Sequence, residues 1–354
     1  MRINYLIDKL ASERSLSLEE YKELVELHSD EARELVRERA VEVRKRLWGN
    51  RVFVRGLIEI GNICKNDCLY CGIRRSNRTV VRYHLTKDEI LAACREGYSL
   101  GFRTFVLQGG ECALDTDEAI ADIIKEIKLL YPSVAVTLSL GERSRESYER
   151  LKLAGADRYL LRHETADSEH YSRLHPASLT LENRIRCLYD LKQLGYQVGC
   201  GFMVGSPYQT ADTLAKDLKF IETFSPEMCG IGPFIPSKDT PFAAEARGSL
   251  ELTLYLISII RLIRPTVLLP ATTALGTVHP HGRELGIMHG ANVVMPNLTP
   301  PSMRKNYSLY DNKLSEGAES AQQKRVLEEK MRIIGYEVVT SRGDAPGFFD
   351  NADV

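Results

Sequence analysis

No uninterrupted apolar run in the chain approaches the ~18 residues that a membrane span needs. Neither sign of charge predominates: 47 Lys and Arg face 48 Asp and Glu, for a formal net charge of −1. No broad basic face for nucleic acid is therefore implied. The first thirty residues are charged and amphipathic, without the continuous apolar region of an ordinary secretory signal. There is no low-complexity segment and no repeat tight enough for a solenoid. The eight cysteines fit a reducing cytosol. The expectation is a cytoplasmic protein with neither a membrane nor a nucleic-acid partner.

What the chain does contain is three cysteines in one short loop. Cys64, Cys68 and Cys71 stand in the spacing C-x3-C-x2-C, with Tyr70 just before the last. Thiolates bind soft metals and iron–sulfur clusters, and an electron-transfer [4Fe–4S] cluster usually takes four. Three protein ligands leave one metal position open, the mark of a reactive site. A zinc knuckle is the plain alternative, but structural zinc wants four closed ligands. The next His, His84, stands alone thirteen residues past Cys71. A disulfide with a spare thiol suits small secreted chains. The other five cysteines (Cys94, Cys112, Cys187, Cys200, Cys229) are scattered singly and read as small buried apolar residues.

From residue 52 a beat of short Val/Ile/Phe-rich runs alternates with amphipathic stretches of helical length. Strands are expected at 52–60, 104–107, 135–138, 158–161, 198–204, 230–234, 267–270 and 292–295. Helices are expected at 87–100, 117–130, 144–154, 181–194, 211–224, 252–263, 282–289 and 322–334, several ended by a glycine (Gly101, Gly155, Gly195, Gly290). Eight such units span about 245 residues, the size of a complete (β/α)8 barrel. A doubly wound open sheet is the alternative. Residues 1–50 read as a helical extension, with Ser15 or Ser17 as a cap, 51–340 as the barrel, and 341–354 as a loose tail.

Barrel active sites lie at the C-terminal ends of the strands, where the three cysteines also fall. Strand two ends in Gln108-Gly109-Gly110-Glu111, whose glycines permit close backbone approach. On strand three, Thr137 and Ser139 alternate onto one face, toward the lumen. Arg162 and Glu164 share a face at the end of strand four, a costly pair unless it serves geometry or a ligand. Arg184 is within sequence reach as a carboxylate fork. Strand seven ends in Thr272-Thr273, and Tyr307 and Tyr310 follow strand eight.

The cluster motif with its preceding aromatic resembles the signature of the radical S-adenosylmethionine (SAM) superfamily. Cys64–Cys71 with Gly72-Ile73-Arg74-Arg75, Val106–Glu111, Arg158–Thr165, Ile231–Pro236, Pro270–Gly276 and Gly290–Pro300 together resemble the [FeFe]-hydrogenase maturase HydE family, relatives of biotin synthase and methylornithine synthase. The resemblance covers nearly the whole chain to about residue 310. It implies a [4Fe–4S] cluster on Cys64, Cys68 and Cys71, with SAM chelated to the free iron and cleaved reductively to a 5′-deoxyadenosyl radical. It places Tyr70, Gln108, Gly109, Gly110, Glu111, Thr137, Ser139, Glu164 and Arg184 around SAM. Thr272 and Thr273 fall in the substrate cavity, and Arg162, Tyr307 and Tyr310 beside the chemistry. The implied substrate is an organometallic iron carrying cysteine, CO and cyanide, with other maturation proteins and an electron donor as partners. Some members carry three further cysteines near the C-terminus for a second cluster. Here 314–323 has none and no Cys follows Cys229, so one cluster is expected. A carbon-skeleton mutase or a sulfur-inserting synthase on the same barrel is the second reading. Sulfur insertion needs a second cluster in the lumen, so the direction of Cys200 and Cys229 discriminates. A non-catalytic metal protein is the third reading.

Overall fold

The protein's structure is a computed structural model in which residues 2–314 and 319–348 are described. Among these are the strands β1 (Arg51–Val54), β2 (Gly56–Gly61), β3 (Thr104–Gly109), β4 (Ala135–Ser139), β5 (Arg158–Leu160), β6 (Gln197–Cys200), β7 (Met203–Val204), β8 (Met228–Cys229), β9 (Gly232–Pro233), β10 (Val293–Val294) and β11 (Glu337–Val339). The ring runs β2-β3-β4-β5-β6-β8, all parallel. It continues through single bridges from Met228 to Leu268 and from Pro270 to Val293. β10 then pairs with β1, which leads into β2. The fold is the closed (β/α)8 barrel, and the open-sheet alternative falls.

Four expected strands differ in detail: strand one divides at Arg55 into β1 and β2, and the other three differ for a visible physical reason. Strand seven, 267–270, joins only through those bridges, and its Pro270 has no N–H to donate. The buried Arg261 occupies the neighbouring carbonyls instead, donating to Gly290 O at 2.9 Å, Pro265 O at 2.7 Å and Val267 O at 2.8 Å. Strands five and six each break in two, at Gly201 and Gly230. Gly201 has φ +148°, and a Cβ there would stand 2.0 Å from Gly230 O. Only glycine lets the two chains pass that closely.

The crossover helices begin in a uniform way. Thr86, Thr116, Ser144, Thr180, Thr210 and Ser249 each accept the N–H of the residue three further on. Such caps are worth about 1 kcal/mol each. In the N-terminal segment, helices Arg2–Glu13, Leu18–Glu26 and Asp30–Trp48 pack on Ala211–Phe224 and Leu250–Ile263. Tyr21 donates to Glu222 at 2.7 Å, and Tyr255 to Leu24 O at 2.8 Å. Leu250–Ile263 is apolar nearly all round because this layer covers its outer face. Ser17 caps the second helix in a full capping box, settling the Ser15 or Ser17 alternative.

The segment from Asp344, read from sequence as a loose tail, begins inside the barrel. β11 lies along β1, and the chain then turns under the ring. Asp344, 3% exposed, meets Arg158 at 2.6 Å and accepts from Gln197 at 2.6 Å and Arg342 at 2.8 Å. Arg158 and Thr104 donate to Arg342 O at 2.8 Å. These residues close the floor of the barrel, and 349–354 lie outside the described residues. Charge, not hydropathy, tethers the segment, so an apolar pattern does not reveal it. Burial works against the Asp344 carboxylate, but Arg158 and Arg342 overcome it and hold its pKa below the usual carboxylate range.

Asp344→Asn leaves Arg158 buried without its counter-charge. We expect a loss of about 3–5 kcal/mol, the cost of breaking a buried pair from one side, read as a lower denaturant midpoint at pH 7. Because the native pKa is depressed, this contribution is full above the unfolded carboxylate pKa of about 3.9. It is lost as pH falls through the lower native value. The gap between wild type and variant should therefore shrink only in strong acid.

Candidate active site

The three cysteines follow β2 in a loop at the open mouth of the barrel, tied down on every side. Lys65 N–H donates to Glu111 O at 2.8 Å, Leu69 N–H to Leu174 O at 2.9 Å, and Gly72 N–H to Leu309 O at 2.7 Å. The Arg82 guanidinium donates to four carbonyls of the loop: Asn62 (2.6 Å), Ile73 (2.7 Å), Arg74 (2.6 Å) and Asn77 (3.0 Å). Arg74 closes onto Asp67 at 2.8 Å. The thiols are close enough to act on one another electrostatically. Burial first, then Cys71 and Cys64, push the Cys68 thiol far up, and burial pushes Cys71 up to about 12 and Cys64 upward. Holding all three as thiolates here requires a bound positive group, which iron or zinc supplies.

The Gly109-Gly110 turn lies against this loop. A Cβ at Gly110 would stand 2.4 Å from Ile63 O and 2.8 Å from Cys64 Cβ. Glu111 turns away from the lumen to lock three loops together, through Lys65 at 3.3 Å and the Glu142 N–H at 3.1 Å. Tyr70 sits 3.1 Å from His175 Nε2, edge-on to the ring that stacks on Tyr171.

Arg162 and Glu164 follow the end of β5, Glu164 with a left-handed backbone at φ +65°, and Thr137 lies midway along β4. Arg162 Nη2 is 3.2 Å from Glu164 Oε2, out of hydrogen-bond alignment. Ser139, at the end of β4, is partly exposed. Arg184 finds its carboxylate in Glu142 at 2.5 Å and donates to Arg162 O at 2.6 Å. Burial opposes the Arg184 charge, but Tyr171 and Glu142 more than offset it and raise its pKa. The Thr272-Thr273 pair diverges. Thr273 donates to Glu319 at 2.9 Å, while the buried Thr272 hydroxyl lies near the Gly232 backbone. Tyr307 and Tyr310 also part. Tyr307 OH accepts from Gln108 at 3.3 Å, and Tyr310 lies toward Thr277, Glu319 and Arg283.

Several residues of the site carry no sequence motif. Glu59 on β2 is fully buried, held by Lys313 at 2.6 Å and Asn297 at 2.9 Å. An isolated carboxylate within an apolar strand was the available signal. Lys313, Arg82 and Glu142 lie on loops without periodicity, and Arg283, on the helix Gly282–Met288, pairs with Glu319. Cys200 and Cys229 face each other across β6 and β8. Their strand neighbours Gln197 and Met228 point inward to Asp344 and Arg55, so both thiols point out toward the helices, Cys200 near Lys192. They do not serve the lumen.

Buried polar atoms of Thr137, Arg162, Glu164 and Thr272 have no hydrogen-bond partner among the described residues. Three thiols, a backbone cradle that admits no Cβ and this set of polar groups fit a thiolate-held cluster with a polar ligand beside it. A profile of the Radical SAM superfamily matches residues 58–221, the cluster loop through the fifth crossover helix. The protein is a radical SAM enzyme, a class defined by a [4Fe–4S] cluster and SAM. The [FeFe] hydrogenase maturase subunit HydE of Thermotoga maritima is 46% identical over 309 residues, 87% of this chain and 88% of its own. The chain belongs to the HydE family. A 3-methylornithine synthase of Methanosarcina barkeri is 29% identical over 314 residues, 87% of each chain. The crystal structure of methylornithine synthase (PylB) superposes with a TM-score of 0.83 at 27% identity, covering 94% of this chain and 97% of that one.

Gly110→Ala should sharply lower the iron bound per chain, since the neighbouring atoms are backbone and Cys64 itself. Gly109→Ala, whose Cβ would meet Ile60 Cγ1 at 3.2 Å, should lose far less. Equal iron content in the two variants would contradict the cradle.

Proposed function

We propose that the chain acts in [FeFe]-hydrogenase active-site maturation, on a small organometallic substrate that carries iron, cysteine, CO and cyanide. The observation that supports this most directly is the meeting of three thiols and unpartnered polar groups at the one open mouth of a barrel, in a chain 46% identical to a HydE. When bound, the cluster would pass one electron to SAM and release a 5′-deoxyadenosyl radical. Cys64, Cys68 and Cys71 would hold it, and Arg82 fixes their loop. Gly109 and Gly110 let the backbone approach, while Tyr70, Gln108, Thr137, Ser139, Glu164 and Arg184 orient the cofactor. Glu111 acts through loop position. Arg162, Thr272, Thr273, Tyr307 and Tyr310 line the substrate side, and the sealed floor excludes water from below.

We assign one cluster to the chain, since Cys200 and Cys229 point away from the lumen and no Cys follows them. Residues 315–318 of the stretch used for a second cluster in some relatives lie outside the described residues. The same outward thiols weigh against sulfur insertion. The free thiols suit a reducing, cytoplasmic setting, with maturation proteins and an electron donor as partners. No described helix is long and apolar enough to cross a membrane.

The test is anaerobic incubation with SAM, reductant and the iron–cysteine complex, followed by product spectroscopy. Turnover of that complex is expected. SAM cleavage without change in the complex would redirect the assignment toward a mutase. Cys68→Ala should abolish both the cluster and SAM cleavage. Arg162→Ala should keep its iron and lose coupling between SAM cleavage and product; loss of iron would make Arg162 structural.

A further inference from the structure

Beside the cluster loop, three side chains with metal-binding chemistry meet outside the machinery described above. His84 bridges the backbone of Gly61 at the end of β2. Cys112 follows Glu111, and Asp115 turns back to donate its N–H to Cys112 O at 3.2 Å. His84 Nε2 lies 2.8 Å from Asp115 Oδ1, and one ligand atom from each of the three residues lies within 4.8 Å of the others. Asp115 is 5% exposed, while His84 and Cys112 are half-buried. Among the described residues the Cys112 sulfur accepts one long contact, the Leu114 N–H at 3.4 Å.

A carboxylate this buried is costly unless it is paired or coordinates a cation. Thiolate, imidazole and carboxylate together suit a borderline divalent ion rather than calcium or magnesium, which prefer oxygen alone. Ligand atoms around tetrahedral zinc stand roughly 3.3–3.7 Å apart, given bonds of about 2.0–2.3 Å. The His84–Asp115 spacing would open by about half an ångström, and the widest spacing would close by about one.

We propose that His84, Cys112 and Asp115 form a second metal site, independent of the cluster, for one divalent ion of the zinc class. Three protein ligands leave the fourth position to water. The ion ties the strand segment that follows the cluster loop to the Gly-Gly-Glu turn, stiffening both walls of the cofactor site from behind. Zinc binding releases the proton of a thiol ligand to solvent.

The anaerobic holoenzyme, cluster intact, is titrated with Zn²⁺ against a chromophoric chelator, with iron and sulfide assayed in parallel. One zinc equivalent is expected at unchanged iron content. His84→Gln and Cys112→Ser should each weaken it at least about tenfold while keeping wild-type iron, which shows that they fold. Zinc-edge X-ray absorption should show a single sulfur neighbour at about 2.3 Å. No bound equivalent, unchanged affinity in both variants, or a shell with no sulfur or several overturns the site.

Discussion

A closed ring of parallel strands has two ends, and here one is stopped by charge. Asp344 reaches under the ring to the fully buried Arg158. Gln197 and Arg342 fill the remaining bonds of its carboxylate. With the floor shut, the lumen opens only where the strands end at their carboxyl termini, and the three thiols stand over that mouth. Strand direction thus sets which end carries the site, and the Asp344 plug shuts the other. A reactive species formed at the mouth would have the lumen in front of it and packed protein behind.

The interior carries an unusual load of buried charge, satisfied in two different ways. Among the described residues Arg44 and Arg261 meet no carboxylate; backbone carbonyls surround them instead, with the Asn292 side-chain oxygen also accepting from Arg261. Burial lowers their pKa values to about 10 and about 9. Both stay charged near neutrality, and they stitch the N-terminal helices and the weak seventh strand to the ring. Near the mouth the charges are paired, as Glu59 with Lys313 and Arg184 with Glu142. Such pairs seldom add net stability over apolar packing. Their value here is geometric: each fixes a loop that a neutral core would leave free to repack.

Legibility in the sequence followed the physics of each feature. The barrel was readable because eight apolar runs and their amphipathic partners repeat with two distinct periods. The cluster loop was readable because thiol spacing is itself the chemistry. Thr137 and Ser139 followed from alternation, and the Arg162–Glu164 pair from the same rule. The partners of Thr273 and Glu111, Glu319 and the Glu142 N–H, come from distant loops and left no local sign in the sequence. Glu59 was overlooked as one polar residue in a strand. Arg82 and Asp344 work through backbone carbonyls and a single distant arginine, contacts that leave no local pattern. The seventh strand was overestimated because hydropathy does not register that a proline cannot donate to a ladder.

The polar groups at the mouth also bear on which ligands the lumen admits. Arg162 and Glu164 are 3.2 Å apart, yet not aligned to hydrogen-bond each other, and Glu164 holds a left-handed backbone. A non-glycine residue in that conformation stores strain that its surroundings must offset. The Glu164 N–H is fixed by Gly201 O at 3.0 Å, and Arg184 fixes the Arg162 carbonyl. The guanidinium and carboxylate are therefore held open by their own backbone rather than collapsed on one another. A ligand offering both an acceptor and a donor satisfies the two at once, whereas an apolar one leaves the buried Arg162 Nη2 and Glu164 Oε2 atoms without a hydrogen bond. Rejection on that basis is far stronger than any hydrophobic pocket provides for a missing methylene. The lumen selects by what it would leave unsatisfied, and the closed floor ensures that no water enters from below to relieve the penalty.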